Sequence, residues 1–330
     1  MSRISPLLLA ASLAVPAANV AYGQEPSPDQ VISAMETNFG VNPGQRRNHI
    51  KGTCATGDFV GTAEAKALSK SALFSGAAIP VVARFSLPGG NPKLPDTAKT
   101  VRGMALQFKL SASDVHNMAM LNTPVFGVAA PAAFHENLLA NRPDPATGKP
   151  DTEKQKAFRE AHPEGKAMAD FMAKNNPPPS YVNAAYYSIH TFRFVDAAGK
   201  PTAVRWRFTP QAGEKNLSEE ELKSLPADFL EARLIEATKA GPQRWDMIVT
   251  IGQPGDPETD ATRAWPAERR SFKAGELTIR AAMPQKGAEC EAINFDPLNM
   301  AAGIEATDDA VLMFRSPAYA VSYSKRIDGK

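Results

Sequence analysis

Arg315 and Tyr319 stand four residues apart in TDDAVLMFRSPAYAVSYSKR (307–326), where Val311, Leu312, Phe314, Ala318 and Val321 predict one buried helical face. On a helix this spacing sets a guanidinium beside a phenol. The neighbouring cation favours phenolate, a hard anionic ligand able to hold ferric iron; the plainer alternative is a stacked surface pair. Thr307 followed by two acids predicts the helix start, and Pro317 predicts a kink or a break. Upstream, His49 is the one group of RRNHIKGTCATGDFVGT (46–62) able to move protons near neutral pH, unless it is simply a satisfied structural histidine. The glycines and small residues around it suit a backbone packed against something flat. Arg84 and Ser86 fall on one face of IPVVARFSL (79–87), where a part-buried cation requires an anion, either a protein carboxylate or a cofactor's propionate.

The elements that must position these residues read as an α+β chain. A short helix is predicted around 31–38. Strands are predicted over 79–87, 101–110, 120–128, 187–195, 203–208, 244–251 and 276–282. A polar helical region covers 152–174, and Ser218 to Glu221 forms a capping box. About eight strands in close succession, with helical insertions and a helical end, predict a closed antiparallel β-barrel wrapped by helices.

Composition narrows the function classes. The 330 residues carry 37 basic and 35 acidic side chains, a net charge of +2 with no basic stripe, so nucleic acid is not an expected partner. A hydrophobic content of 43% is ample for a core, and no linker divides the chain. Residues 1–23 read as a signal peptide: Arg3, then the apolar run Leu7 to Ala18, then Ala21-Tyr22-Gly23 as a cleavage site. An uncleaved anchor is the alternative, and no later stretch reads as a membrane span. Residues 24–330 would form the exported domain, with a periplasmic location. There Cys54 and Cys290 would form one disulfide or remain as two buried thiols.

The ordered fragments HIKG (49–52), ARFS (83–86), DT (96–97), RGMALQF (102–108), NTPVF (122–126), HTFRF (190–194), AWP (264–266), FDPLNMAAGI (295–304) and R-x-x-x-Y (315–319) resemble the haem catalase superfamily. With the sequence ending just after the tyrosine helix, the C-terminal helical domain of large catalases is not expected. The chain thus resembles the short, exported, catalase-related peroxidases. The resemblance implies haem b, with His49, Ser86 and Asn122 on the distal side and Phe134 stacked near the macrocycle. It further implies Tyr319 as the iron ligand supported by Arg315, a relay through His190 and Asp309, and Arg46, Arg84 and Arg326 for the propionates. NADPH is not expected, because much of the region that binds it in some family members is missing.

The implied activity is reduction of hydrogen peroxide or organic hydroperoxides by a small organic donor through a ferryl intermediate, with a homodimer possible. Alternatives are disproportionation of hydrogen peroxide, hydroperoxide isomerisation, and haem storage without turnover. Thr100 stands where large catalases carry a carboxylate, and Asn48 replaces an apolar gate, so a wider and more polar access route is expected.

Overall fold

The structure is a computed structural model and describes residues 25–330, so the signal peptide expected over 1–23 lies outside the described residues. Ten strands form one sheet: β1 (Gly52–Gly61), β2 (Ala78–Ser86), β3 (Gly103–Lys109), β4 (Val115–Leu121), β5 (Tyr186–Tyr187), β6 (Phe192–Val195), β7 (Pro201–Pro210), β8 (Gln243–Ile251), β9 (Ser271–Pro284) and β10 (Ile304–Ala306). Antiparallel pairing runs β1-β2-β3-β4-β5-β7-β8-β9 and returns to β1, closing an eight-stranded barrel. Strands β6 and β10 extend the sheet beside β7. Closure removes the free edges that an open sheet would expose.

Alternation along the strands sorts two environments. Val81, Ala83 and Phe85 of β2 point into the barrel, where they meet Met104, Leu106 and Phe108 of β3 and Met118 and Met120 of β4. Aromatic rings fill the barrel: Phe59 meets Phe108 edge-on at 5.3 Å between centroids, and Phe85 lies 5.8 Å from Trp245. With a period of two, Arg84 and Ser86 must then face outward, together with Gly103 and Ala105 of β3 and Ala119 of β4. These mostly small residues make a flat outer wall.

Three helices cover that wall, Pro28–Phe39, Pro131–Ala140 and Ala310–Ile327, and they pack on one another. Val31, Ile32, Ala34 and Met35 of the first helix join Leu138, Phe134, Phe314 and Val321 in a separate apolar cluster. Among the described residues no helix is long and apolar enough to cross a membrane.

Several local expectations are corrected. The last helix begins after Asp309, whose carboxylate accepts from the amides of Val311 and Leu312, while the Thr307 hydroxyl is spent on the carbonyls of Thr191 and Glu258. It continues through Pro317, because the carbonyl deprived of a donor belongs to Met313, an exposed position that water can reach. The polar region 152–174 divides into Thr152–Ala161 and Lys166–Lys174 at Pro163. The strand expected over 120–128 is β4, which ends at Leu121; that expected over 187–195 is interrupted between β5 and β6 by Ile189 at φ 56° and His190.

Candidate haem site

A cavity of about 310 Å³ lies between the outer face of β2–β4 and the covering helices. Arg46, His49, Arg84, Ser86, Phe134, His190, Arg315 and Tyr319 all line it. The sequence separates these residues by up to a few hundred positions, and the barrel wall and C-terminal helix bring them to one space.

His49 occupies the sheet side with a left-handed backbone, φ 53°. The Asn48 side-chain oxygen accepts from the His49 amide at 2.9 Å and from Gly89 N at 2.6 Å, which fixes this turn. Asn48 thus lines the cavity with its oxygen committed to backbone. Thr100 is not among the lining residues. His49 Nδ1 lies 3.0 Å from Ser86 Oγ, and Nε2 has no protein partner among the described residues. Burial, then the charges of Arg84, Arg315 and Arg46, push the imidazole down to about 3, so it is neutral near pH 7.

Tyr319 approaches from the helical side. Its hydroxyl accepts from Arg315 Nη2 at 3.1 Å, the i, i+4 contact expected from the spacing. His190 Nδ1 meets Asp309 Oδ2 at 2.7 Å in a fully buried pair. Burial outweighs that bond and lowers the His190 pKa. Burial also works to raise Asp309, but His190 and the two helix-start amides hold it below its usual range. Two of the three members of the expected relay are thus in contact. No hydrogen bond joins His190 to Arg315 among the described residues, and His190 Nε2 is buried without a partner.

Arg46 and Arg84 line the cavity, and Arg326 stands near Arg46 outside the lining. Arg46 donates to the carbonyls of Cys290, Glu291 and Ile293, and Arg326 to those of Glu291 and Ala292. Arg84 donates through Nη2 to the carbonyls of His49 and Ile50, in the turn that carries His49. Among the described residues no carboxylate lies within 4.0 Å of Arg46, Arg84, Arg315 or Arg326. Burial depresses Arg46 and Arg84, and the neighbouring guanidinium groups press Arg46 further. Such a cluster is costly until an anion joins it.

The Cys54–Cys290 disulfide, open in the sequence, is formed and buried, and it ties the carbonyl-bearing segment to β1. Three expected residues do not reach the cavity lining: Asn122, Arg326 and Asp309, the last paired with His190. Asn122 follows β4 with its side-chain oxygen accepting from Arg102 N at 2.6 Å, and Arg326 is occupied with carbonyls. Gln285, which no motif marks, touches Arg84.

A flat small-residue wall, opposed imidazole and phenol, uncompensated buried cations and an orphaned His190 nitrogen together suit a flat, anionic prosthetic group with a metal at its centre. The donor set fits haem. Comparison with known proteins agrees: the catalase family model matches residues 42–330, and the chain belongs to the catalase family. It is 61% identical over 303 residues to a catalase-related peroxidase of Synechococcus elongatus, covering 92% of this chain and 89% of that one. A catalase-related peroxidase of Mycolicibacterium paratuberculosis is 32% identical, covering 91% and 95%. Among solved structures, a bacterial catalase superposes with a TM-score of 0.79 at 26% identity, and catalase A from Saccharomyces cerevisiae with 0.80 at 25%. Each match spans 87% of this chain but only 58% and 62% of those two chains.

Proposed function

We propose that this chain is a haem b peroxidase, exported to the periplasm, that reduces hydrogen peroxide or organic hydroperoxides with a small organic electron donor. The observation that carries the reading is the opposition of a neutral His49 and Tyr319 across one cavity whose arginines have no carboxylate partner. Tyr319 would hold the iron, Arg46 and Arg84 the propionates, and Phe134 an edge of the macrocycle. When bound, the haem supplies the redox change that O–O cleavage requires.

This chain's own residues handle the protons. With Ser86 Oγ accepting from Nδ1–H, Nε2 of His49 keeps its lone pair and takes a proton from one peroxide oxygen, then returns it to the other. The low pKa leaves that lone pair free at neutral pH. Asn122 lies outside the cavity lining with its oxygen on the Arg102 amide, so the steering expected of it would need its Nδ2 turned toward the cavity. Arg315 donates to the Tyr319 oxygen and favours its role as an anionic ligand. Arg326 supports Arg46 by holding the same carbonyl segment. A buried disulfide accords with an oxidising compartment. The names of the relatives support peroxidation over disproportionation.

Loading the purified chain with hemin and recording its absorption spectrum, beside that of Tyr319→Phe, tests the assignment. A high-spin phenolate-ligated spectrum that the variant loses is expected. An identical spectrum in both removes Tyr319 from the iron.

A further inference from the structure

Gln285, just after β9, makes every polar contact of its amide within the cofactor wall. Its Oε1 accepts from Arg84 Nε at 3.1 Å and from Nη2 at 2.7 Å, while its Nε2 donates to the Ile50 carbonyl at 2.9 Å. Arg84 Nη2 in turn donates to the carbonyl of His49 at 2.6 Å and to that of Ile50 at 3.2 Å. The guanidinium comes close to the backbone at Gly52, where a Cβ would stand 2.5 Å from Nη2. Only Nη1 donates to no protein atom among the described residues.

We propose that Gln285 is a positioning residue: it orients Arg84 so that Nη1 alone is presented to an anionic group in the cavity, and it clamps the left-handed turn that carries His49. The inference rests on the haem reading above. What it adds is a reason for an amide at this position. A carboxylate of the same shape would pair with Arg84 and neutralise it, whereas the amide orients the cation and leaves its charge free. Glu291, Tyr181, Tyr319, Arg46 and Arg326 are the other charged or titratable groups around the pair, and none is an ion-pair partner of Arg84.

The test compares hemin with iron protoporphyrin IX dimethyl ester, which lacks the propionate charges, in binding titrations of the apoprotein. Wild type should bind hemin more tightly than the ester. In Gln285→Glu hemin affinity should fall by on the order of tenfold or more while ester affinity changes little, so the preference for hemin shrinks. Gln285→Met, which cannot accept from Arg84 as an amide does, should weaken hemin without supplying a competing charge, and Gln285→Asn should fall between it and wild type. Equal losses for hemin and ester in Gln285→Glu would indicate a merely structural role and overturn the proposal, as would wild-type affinity for both. If Gln285→Glu does not fold by circular dichroism, the Gln285→Met titration decides alone: an unchanged hemin preference overturns the inference. Failure of the wild type to bind hemin would instead refute the haem reading itself.

Discussion

Gly103 on β3 and His49 stand so close that no side chain fits between them: a Cβ on Gly103 would lie 3.1 Å from Nδ1 and Cε1 of the imidazole and 2.9 Å from Ser86 Oγ. The glycine is a spatial requirement of the ring's position. Gly103→Ala should rotate or displace His49 and slow the peroxide-induced spectral change by roughly tenfold or more, because proton transfer needs hydrogen-bond geometry. Stopped-flow mixing with peroxide checks this. An unchanged rate would mean the ring's position is immaterial.

Removing the imidazole should be more severe. His49→Ala is expected to bind hemin and to react with peroxide slower by roughly 10² to 10⁴-fold, the usual worth of a positioned acid–base group. Ser86→Ala should cost less, since it frees the tautomer and orientation of the ring but leaves the base in place. Equal kinetics in all three proteins would contradict the proton-transfer role.

The buried disulfide joins residues 236 apart and anchors the segment whose carbonyls hold Arg46 and Arg326. The double variant Cys54→Ser, Cys290→Ser should lose about 2–5 kcal/mol of stability. It should also bind hemin more weakly, as the arginines lose their fixed carbonyls. Thermal melting and hemin titration measure the two effects. Retention of both wild-type values would reduce the bridge to an incidental feature.

Acid should destabilise the fold well before its carboxylates titrate. His49 and His116 are pushed down to about 3, chiefly by burial, and His190 is lowered as well. Their unfolded values lie near 6.5, so below that pH the unfolded chain binds protons that the folded chain refuses. Stability is therefore full above the unfolded value and falls as pH drops toward 3, by about 1.4 kcal/mol per pH unit for each such histidine. His162 is raised by Glu136 and Glu164 despite some burial, so its contribution is lost only as pH rises through its folded value. Urea midpoints of the apoprotein should decline steadily from pH 6.5 to 4.5; a flat profile would mean these histidines are not buried neutral.

Much of this arrangement was legible in the sequence because its signals are periodic or spaced. The alternation that put Arg84 and Ser86 on one face is the actual division between barrel interior and cavity wall. The four-residue step from Arg315 to Tyr319 became a hydrogen bond. β1 was less legible, for its sequence GTCATGDFVG lacks an apolar alternation. Gly57 explains part of this: a Cβ there would come within 1.9 Å of the Thr278 carbonyl, at a bulge in the β1–β9 pairing. Close approach of two strands, a tertiary demand, overrode strand propensity. The disulfide was a matter of two cysteines 236 residues apart, whose proximity only barrel closure creates. Gln285 left no signal, because a neutral amide holding an arginine belongs to no motif.

Which reductant the haem-loaded protein uses separates a peroxidase from a disproportionating catalase. Oxygen release at an electrode and oxidation of a phenolic dye should be recorded together, on one hemin-loaded sample with millimolar-or-lower hydrogen peroxide. Thr100 brings no carboxylate charge to orient peroxide. Dye oxidation should therefore exceed oxygen release, and Thr100→Asp combined with Asn48→Val should move the ratio toward oxygen. Vigorous oxygen release with scarcely any dye oxidised would contradict the peroxidase reading and make the chain a disproportionating catalase.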